Sequence, residues 1–291
     1  MKTGFAGLGA MGAPMARNLK NAGLLTAVWN RSPDRAASFA READVVAATD
    51  PAVLARLCDV VVLCVSADED VLSVVDALAP GLAAGSTVID CSTVSADTAR
   101  EAARRLASVG ASFLDCPVSG GTEGAAAGTL SIMVGGDEAA MERVRPVLEA
   151  MGRNIVHMGP VGSGQATKAT NQIMVAGINQ AVTEALAFGQ AQGLPPEKLI
   201  AALEKGAAGN WFLSHRGHTM VRGEYPLGFK VALHAKDLEI CRTMAAAAGA
   251  KLPVVEMTLL HYERLLAESS TDEDISALFR LKSDMFADDR S

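Results

Sequence analysis

The sequence predicts an α/β protein in which a doubly wound parallel sheet occupies residues 1–162 and an all-helical domain occupies residues 163–291, joined by a long helix. Three observations predict this class. In the first half, short β-branched runs alternate with helical patterns, as they do in βαβ units. A glycine-rich segment follows the first of these runs, at residues 7–12. The second half shows helical periodicity with no convincing strand.

The predicted elements follow in chain order. Strands are predicted at residues 2–6, 25–29, 45–47, 60–65, 87–90 and 112–114, with helices at 14–22, 33–41, 51–57, 69–77 and 96–107. Residues 60–65 show no polar alternation, which is typical of a central strand covered on both faces. Apolar stretches at 130–134 and 155–158 close this half. Further helices are predicted at 166–192, 196–206, 231–248, 254–267 and 275–281.

Composition excludes several classes of protein. Of the 291 residues, 49% are hydrophobic and 20% are charged, so the chain can bury a large core. Acidic residues outnumber basic ones, 33 to 26, which argues against nucleic-acid or membrane partners. The start resembles no signal peptide, and no apolar run is long enough for a membrane helix. Five cysteines without CxxC spacing fit a reducing compartment, so a cytoplasmic location is expected.

The glycine-rich segment carries the first chemical signal. It comprises Gly7, Leu8, Gly9, Ala10, Met11 and Gly12, directly after one predicted strand and directly before a helix. In a Rossmann-type dinucleotide site the first glycine makes a tight turn, the second admits the pyrophosphate and the third lets helix and strand pack closely. An ordinary glycine-rich turn is the alternative. The flanking strand and helix, with Pro14 in the first helical turn, favour dinucleotide binding.

The residues after the second predicted strand concern the choice of cofactor. An acidic residue there would bind the ribose 2′-hydroxyl and repel a 2′-phosphate. This chain instead has Asn30, Arg31 and Ser32, with Arg35 one turn later. A neutral amide followed by guanidinium groups suits a phosphate, so NADP is the predicted cofactor and NAD stays possible. The alternative is that both arginines are only solvated charges at a helix start.

A second signal lies at the end of the strand predicted at residues 112–114. Ser119, Gly120 and Gly121 follow an Asp-Cys-Pro-Val segment there. Ligands of open α/β sheets bind beyond the carboxyl ends of the strands, and a hydroxyl with bare backbone N–H groups suits a carboxylate. An ordinary Pro/Gly turn is equally compatible with this segment alone.

A third signal opens the predicted long helix. Lys168 is followed by Asn171 and Gln172, three and four residues later, so the three side chains share one helix face. A desolvated lysine can have its pKa lowered toward neutrality and act as a general acid or base. A lone helical lysine is usually a solvated charge, and the residues alone leave both interpretations open.

These segments together resemble the β-hydroxyacid dehydrogenase family, which includes 3-hydroxyisobutyrate dehydrogenase, tartronate semialdehyde reductase and glyoxylate/succinic semialdehyde reductase and is related to 6-phosphogluconate dehydrogenase. The motifs occur in the family's order over nearly the whole chain. They are GLGAMGAPMARNL at the N-terminus, DCSTVSADT at residues 90–98, DCPVSGGTEGAAAGTLSIMVGG at 115–136, GSGQATKATNQ at 162–172 and KDL at 236–238.

The resemblance implies roles for particular residues and a cleft between the two domains. Lys168 would be the catalytic acid/base, assisted by Asn171. The residues implied to bind substrate are Ser92, Thr93, Ser119, Gly120, Gly121, Gln172 and Asp237. Those implied to bind the cofactor, beyond the glycine motif and Asn30, Arg31, Ser32 and Arg35, are Val65, Ser66, Thr93, Phe229 and Lys236. Cys116, Ala96 and Gln172 depart from the commoner family pattern, in which Ala, Pro and Asn are usual.

The predicted function is therefore NADPH-dependent reduction of a small semialdehyde or keto acid to the hydroxy acid. The alternative is NAD-dependent oxidation of 3-hydroxyisobutyrate, L-serine or a similar β-hydroxyacid. A dinucleotide-binding sensor without catalysis, or an imine-reducing relative, would be expected to lack the lysine. His215 and His218 could suggest a metal pair, but no nearby carboxylate or third ligand completes it, so no metal is predicted. The Ala-rich helical domain suggests a homodimer or homotetramer.

Overall fold

The computed structural model describes residues 1–268 and 273–286. The chain packs as two compact units, Met1–Lys168 and Ala169–Ser291. The division falls after Lys168, inside the long helix, whereas the sequence places it near Gly162. Each unit has its own hydrophobic core.

The first unit alternates strands and helices. Its strands are β1 (Thr3–Ala6), β2 (Leu25–Trp29), β3 (Val46–Ala47), β4 (Val60–Leu63), β5 (Thr87–Asp90), β6 (Ser112–Asp115), β7 (Val118–Ser119), β8 (Leu130–Gly135) and β9 (Gly152–Gly159). Its helices are α1 (Gly12–Asn21), α2 (Pro33–Ala43), α3 (Pro51–Arg56), α4 (Asp68–Leu78), α5 (Ala96–Ala107), α6 (Gly121–Ala127) and α7 (Glu138–Met151). Thus every strand predicted before residue 115 is present, whereas β7, α6 and α7 have no counterpart in the prediction.

All nine strands form one sheet, in the order β3-β2-β1-β4-β5-β6-β8-β7, with β9 paired to β8. The first six strands in this order, β3, β2, β1, β4, β5 and β6, run parallel to one another, which confirms the doubly wound α/β class. Beyond β6 the sheet is mixed, because β8 runs antiparallel to both β6 and β7. The link from β7 to β8 is shorter than the dozen or more residues that a parallel crossover needs, so these two strands pair antiparallel.

The predicted central strand lies in the middle of this sheet. Strand β4 pairs with β1 on one side and β5 on the other, and all four of its residues are buried. Its side chains alternate between two apolar layers, with Val62 in one and Val61 and Leu63 in the other. The carboxyl ends of β1, β4 and β5 therefore meet at one edge of the sheet, where ligands of such folds bind.

The second unit is helical. The chain enters it along α8 (Ser163–Ala191) and continues through α9 (Pro196–Leu203), α10 (Trp211–Met220), α11 (Val231–Ala247), α12 (Pro253–Glu268) and α13 (Leu278–Asp284). Leu186, Leu238, Tyr262 and Leu278 are buried in its core. Helix α10 was not predicted. Within residues 1–268 and 273–286, no helix combines the length and apolar content that a bilayer crossing requires.

His215 and His218, the pair for which no metal is predicted, both lie on α10. His215 stacks on Trp211 with ring centroids 4.2 Å apart, and its Nδ1 lies 2.9 Å from the Trp211 carbonyl oxygen. His218 contacts the Glu197 carboxylate, so the expectation that no carboxylate lies near this pair is wrong. Glu197 precedes His218 by 21 residues, and only the packing of α9 on α10 brings them together. In the part of the chain that the structure describes, no cluster of three His, Cys, Asp or Glu side chains is arranged to hold a metal ion.

Candidate functional site

The glycine loop connects β1 to α1, and its three glycines serve different purposes. Gly7 has φ of +98°, and a Cβ there would overlap the Cys64 carbonyl group. A Cβ on Gly12 would overlap the Gly7 carbonyl, so this glycine lets α1 start close to the loop. A Cβ on Gly9 would meet no atom within 4 Å. Gly9 therefore borders open space, as expected where a loop must admit a ligand.

The start of α1 suits an anion. Met11, at the N-cap, makes no side-chain capping hydrogen bond, and the first turn contains no acidic residue. The N–H groups of a first turn carry partial positive charge, which favours a phosphate placed there. In the loop before α1, Leu8 N–H donates to Asn30 Oδ1 at 2.9 Å, so the Asn30 amide helps to hold the loop. These features fit a dinucleotide, whose pyrophosphate this loop would hold.

The residues after β2 differ in how they are engaged. Asn30 Nδ2 donates to the Ser32 carbonyl oxygen at 3.2 Å, so both ends of this amide bond to the protein. The Arg31 guanidinium pairs with Asp70 on α4 at 3.0 Å, but 83% of its side chain is exposed. An exposed pair of this kind contributes little free energy and exchanges readily for another anion. Ser32 and Arg35 are also exposed.

A hydrogen-bonded network joins the ends of β4 and β5. Val65 N–H donates to Ser92 Oγ at 2.9 Å, and Ser92 N–H donates to Asp90 Oδ1 at 2.9 Å. Gln165 Nε2 donates to the Ser92 carbonyl oxygen at 2.8 Å, while its Oε1 accepts from Val94 N–H at 3.2 Å. Ser92 is buried and its polar groups are held by the protein. The network thus holds the backbone beside two residues that were predicted to contact the cofactor. Of these, Ser66 is exposed and Thr93 is half-buried.

Asp90 is fully buried at the end of β5. Burial raises its pKa to about 7, although the hydrogen bonds from Ser92 act in the opposite direction. Its Oδ2 has no hydrogen-bond partner among the described residues. A carboxyl group in this position holds a proton more strongly than an exposed one because water cannot solvate its charge.

Three thiols form a row just beyond this edge. Leu63, Asp90 and Asp115 are paired across β4, β5 and β6, so the residues that follow them, Cys64, Cys91 and Cys116, also lie side by side. Cys91 and Cys116 are buried, and burial raises the pKa of both thiols. Cys64 is half-buried.

Asp115 holds the beginning of α8. Its carboxylate accepts from Gly162 N–H at 2.8 Å and from Gln165 N–H at 2.9 Å. A Cβ on Gly135 would overlap this carboxylate, and one on Gly164 would overlap the Asp115 carbonyl oxygen. Glycine at both positions therefore allows the strand ends and the helix to approach closely. This contact positions the first turn of α8, directly before the turn that carries Lys168.

Lys168 meets the Ser-Gly-Gly turn. It is 8% exposed, and its Nζ donates to the Val118 carbonyl oxygen at 2.9 Å. Ser119 follows directly and is half-buried; Gly120 and Gly121 have φ of +133° and +63° and are exposed. The structure thus brings the predicted acid/base lysine to the turn predicted to hold a carboxylate, although 50 residues separate Lys168 from Val118.

The remaining predicted residues form a second group, in the helical unit. Asn171 Nδ2 donates to Gln172 Oε1 at 2.9 Å, and Gln172 Nε2 donates to Asp237 Oδ2 at 2.7 Å. Lys236 Nζ lies 3.1 Å from Asp237 Oδ1. The Phe229 ring packs beside His234, with centroids 5.3 Å apart. Gln172 and Asp237 bind each other, which their assignment as substrate ligands did not anticipate.

Three residues of the first unit were missed as functional candidates. Asp90 and Asp115 each end a buried strand, and Gln165 lies in the motif at residues 162–172. An acidic residue at the end of an apolar strand is a signal that the sequence does contain, since such a side chain needs hydrogen-bond donors. The partners of Gln165 depend on long-range packing and have no local signal.

Comparison with known proteins gives a consistent result. Residues 2–159 match the model for the NAD-binding domain of 6-phosphogluconate dehydrogenase, and residues 162–282 match that for the NAD-binding region of NADP-dependent 3-hydroxyisobutyrate dehydrogenase. An NAD-dependent L-serine dehydrogenase of Pseudomonas aeruginosa is 37% identical over 95% of this chain and 96% of its own. A 2-hydroxy-3-oxopropionate reductase of Escherichia coli is 37% identical over 96% of each chain. The structure of a Mycobacterium tuberculosis 3-hydroxyisobutyrate dehydrogenase with L-serine superposes with a TM-score of 0.88, at 33% identity over 96% of this chain and 98% of its own.

Proposed function

Since this chain belongs to the β-hydroxyacid dehydrogenase family of NAD(P)-dependent oxidoreductases, we propose that it reduces a small semialdehyde or keto acid to the hydroxy acid with NADPH. The observation that carries the proposal is the hydrogen bond from buried Lys168 to Val118, next to the Ser-Gly-Gly turn. It brings together a proton donor and a carboxylate-binding turn. Glyoxylate, succinic semialdehyde and tartronate semialdehyde have the required aldehyde and carboxylate.

The turn binds the substrate carboxylate. The glycines at 120 and 121 have positive φ and no side chain, so their backbone N–H groups can approach an anion that a Cβ would keep away. The Ser119 hydroxyl adds a third donor. Binding at this turn orients the substrate, which lowers the entropic barrier of the reaction.

Lys168 supplies the proton. When bound, the reduced nicotinamide provides the hydride that the carbonyl carbon accepts. The Lys168 ammonium donates a proton to the carbonyl oxygen as negative charge develops there, and its neutral amine takes the proton back in the oxidising direction. Asn171 follows one helical turn later and orients the donor. In the fold, Asp115 holds the first turn of α8, just before Lys168.

Substitution of Lys168 tests the mechanism. We expect Lys168→Ala to lower kcat/KM by about 10²–10⁴-fold, the usual contribution of general acid/base catalysis. NADPH affinity, measured by fluorescence titration, should be unchanged because the glycine loop is intact. Lys168→Arg is the matched control: it keeps the charge but cannot release a proton, so it should be nearly as inactive. Substantial turnover by either variant would remove Lys168 from the mechanism.

Cofactor preference depends on Arg31 in this proposal. The Asn30 amide is engaged by the loop, so the exposed Arg31 guanidinium, with Arg35 one turn later, meets a 2′-phosphate in exchange for Asp70. Arg31→Ala should lower kcat/KM with NADPH by about tenfold, roughly one lost charge-assisted hydrogen bond, and leave kcat/KM with NADH unchanged. Arg41→Ala, which removes another exposed arginine near the other end of α2, serves as the control.

The comparison of kcat/KM with NADPH and with NADH also separates the proposed reduction from the alternative NAD-dependent oxidation. Equal use of NADPH and NADH by the unmodified enzyme would contradict the role given to Arg31 and would favour the NAD-dependent oxidation of a β-hydroxyacid. A panel of semialdehydes and β-hydroxyacids, assayed with both cofactors, identifies the substrate class.

A further inference from the structure

We propose that His234 is a positioning residue: with Asp237 it holds Gln172 from two sides and thereby sets the orientation of the Asn171 amide. The proposal deepens the function above, because Asn171 stands one turn after Lys168. His234 and Asp237 are three residues apart on α11 and so share one face. Both bond to Gln172, Asp237 through its carboxylate and His234 through its ring.

The Asp237 carboxylate determines which way the side-chain amides of Gln172 and Asn171 point. Asp237 Oδ2 accepts from Gln172 at 2.7 Å, so Gln172 must present its NH₂ group there. Its carbonyl oxygen then faces Asn171, which must present its own NH₂ group, at 2.9 Å. The Asn171 carbonyl oxygen takes no part in this chain and is the end of the side chain that can accept a hydrogen bond from an ammonium or hydroxyl group.

The tautomer of His234 follows in the same way. Its Nε2 lies 3.3 Å from the Gln172 backbone oxygen, which can only accept, so Nε2 carries the proton. In the neutral ring, Nδ1 is then the acceptor for the Tyr262 hydroxyl, at 2.9 Å. The Tyr262 oxygen in turn accepts from Asn179 Nδ2 at 3.0 Å, and the same amide donates to the Ile275 carbonyl oxygen at 2.9 Å.

Burial makes this arrangement specific. His234, Tyr262 and Asn179 are 0% exposed and Gln172 is 1% exposed, so water does not compete for their hydrogen bonds. With the ring in the same orientation, the other tautomer would place Nδ1–H toward the Tyr262 hydroxyl and leave an unprotonated Nε2 facing a carbonyl oxygen that cannot donate. The His234–Tyr262 pair therefore holds the Gln172 backbone while Asp237 holds its side chain.

Nitrogen-15 NMR of histidine-labelled protein tests the geometry directly. We expect His234 to be neutral with the proton on Nε2 and with Nδ1 hydrogen-bonded; Tyr262→Phe should move the Nδ1 resonance by removing its donor. The His234→Asn variant assigns the signal. A neutral ring protonated on Nδ1, or an imidazolium, would overturn the proposal. Lys168→Ala should leave the signal unchanged, so this readout does not depend on the enzymatic activity proposed above.

Kinetics separate positioning from general stability. Tyr262→Phe should lower kcat by about tenfold, the scale of one lost orienting hydrogen bond, without changing the dissociation constant of NADPH. Thr258→Val is the matched control, since it removes a buried hydrogen bond to Gln180 elsewhere on α12. An unchanged kcat in Tyr262→Phe, or an equal fall in Thr258→Val, would contradict the positioning role of the His234–Tyr262 pair.

Discussion

Asp90 shows how one buried side chain can hold two strand ends together. Its carboxyl group accepts from Ser92, which in turn accepts from Val65, so a single side chain links two strand ends. Its second oxygen has no partner among the described residues. An ionised carboxylate in that position costs free energy because neither water nor a donor solvates it. The protonated form is favoured, and burial raises the pKa to about 7.

The shift predicts a pH-dependent contribution to stability. The carboxyl titrates near its ordinary value of 3.8 in the unfolded chain and near 7 in the folded one. Its stabilising contribution is therefore complete below the lower value and is lost as the pH rises through the higher one. Asp90→Asn cannot ionise, so between pH 5 and pH 7 it should gain stability relative to the unmodified protein, by up to about 1.4 kcal/mol per pH unit.

Urea unfolding at several pH values measures this difference. Because both proteins share every other titrating group, the difference between their unfolding free energies isolates Asp90. Asp59→Asn, which changes an exposed carboxylate, is the control and should show no such slope. A constant difference between Asp90→Asn and the unmodified protein across this range would show that the Asp90 pKa is not raised.

At the scale of the element, the start of α8 depends on a side chain from the sheet. Asp115 accepts from two backbone N–H groups there, at Gly162 and Gln165. Such groups have no partner within the helix and cost free energy when buried without one. The contact therefore stabilises the turn that directly precedes the proposed catalytic lysine.

Removal of that carboxylate should be costly. We expect Asp115→Ala to lower the unfolding free energy by about 2–3 kcal/mol, since buried donors lose a charged partner. Asp137→Ala is the comparison: Asp137 caps α7 through Ala140 N–H at 2.8 Å, and an N-cap of this kind contributes about 1 kcal/mol. Denaturant unfolding measures both. If Asp115→Ala costs no more than Asp137→Ala, the Asp115 contact is an ordinary cap.

The elements that the sequence predicts are those with a strong local pattern. The glycine loop and the apolar strand β4 are both where the pattern places them. Helix α7 was missed because Pro146 lies inside it, and proline usually ends a helical pattern. Strand β7 has two residues and exists through its pairing with β8, which no local pattern encodes. Helix α10 has glycine on its face and lacks a clear apolar stripe.

The site follows the same rule. Lys168 and the Ser-Gly-Gly turn were predicted because motif and chemistry coincide in each, and the structure places them in contact through Val118. The bond between Gln172 and Asp237 could not be predicted, because it joins residues 65 positions apart through the packing of α8 on α11. Which ligand each predicted residue binds stays a prediction.

At the scale of the whole molecule, two units with separate cores carry different parts of the proposed chemistry. The first holds the glycine loop, the Ser-Gly-Gly turn and Lys168. The second holds the Gln172–Asp237 pair and the buried His234–Tyr262 pair. The predicted homodimer or homotetramer concerns a higher level of organisation and stays a prediction that analytical ultracentrifugation would test.

The distribution of the five thiols over the molecule predicts its reaction with thiol reagents. Cys58, Cys91, Cys116 and Cys241 are buried, whereas Cys64 is half-buried. Because the thiolate is the reactive form, burial that raises the pKa of Cys58, Cys91 and Cys116 also slows their reaction. A chromogenic disulfide should therefore modify one thiol rapidly in the native protein and all five in denaturant. Cys64→Ala should abolish the rapid phase, and a second rapid thiol would contradict the assignment.

The row of thiols at the strand ends thus gives the protein a built-in labelling position. Cys64 directly precedes Val65 and Ser66, the predicted cofactor contacts, so a bound dinucleotide should slow its modification. A fluorophore attached at this one position would then report cofactor occupancy with no substrate present, so separate titrations with NADPH and with NADH would compare their affinities before any substrate is known.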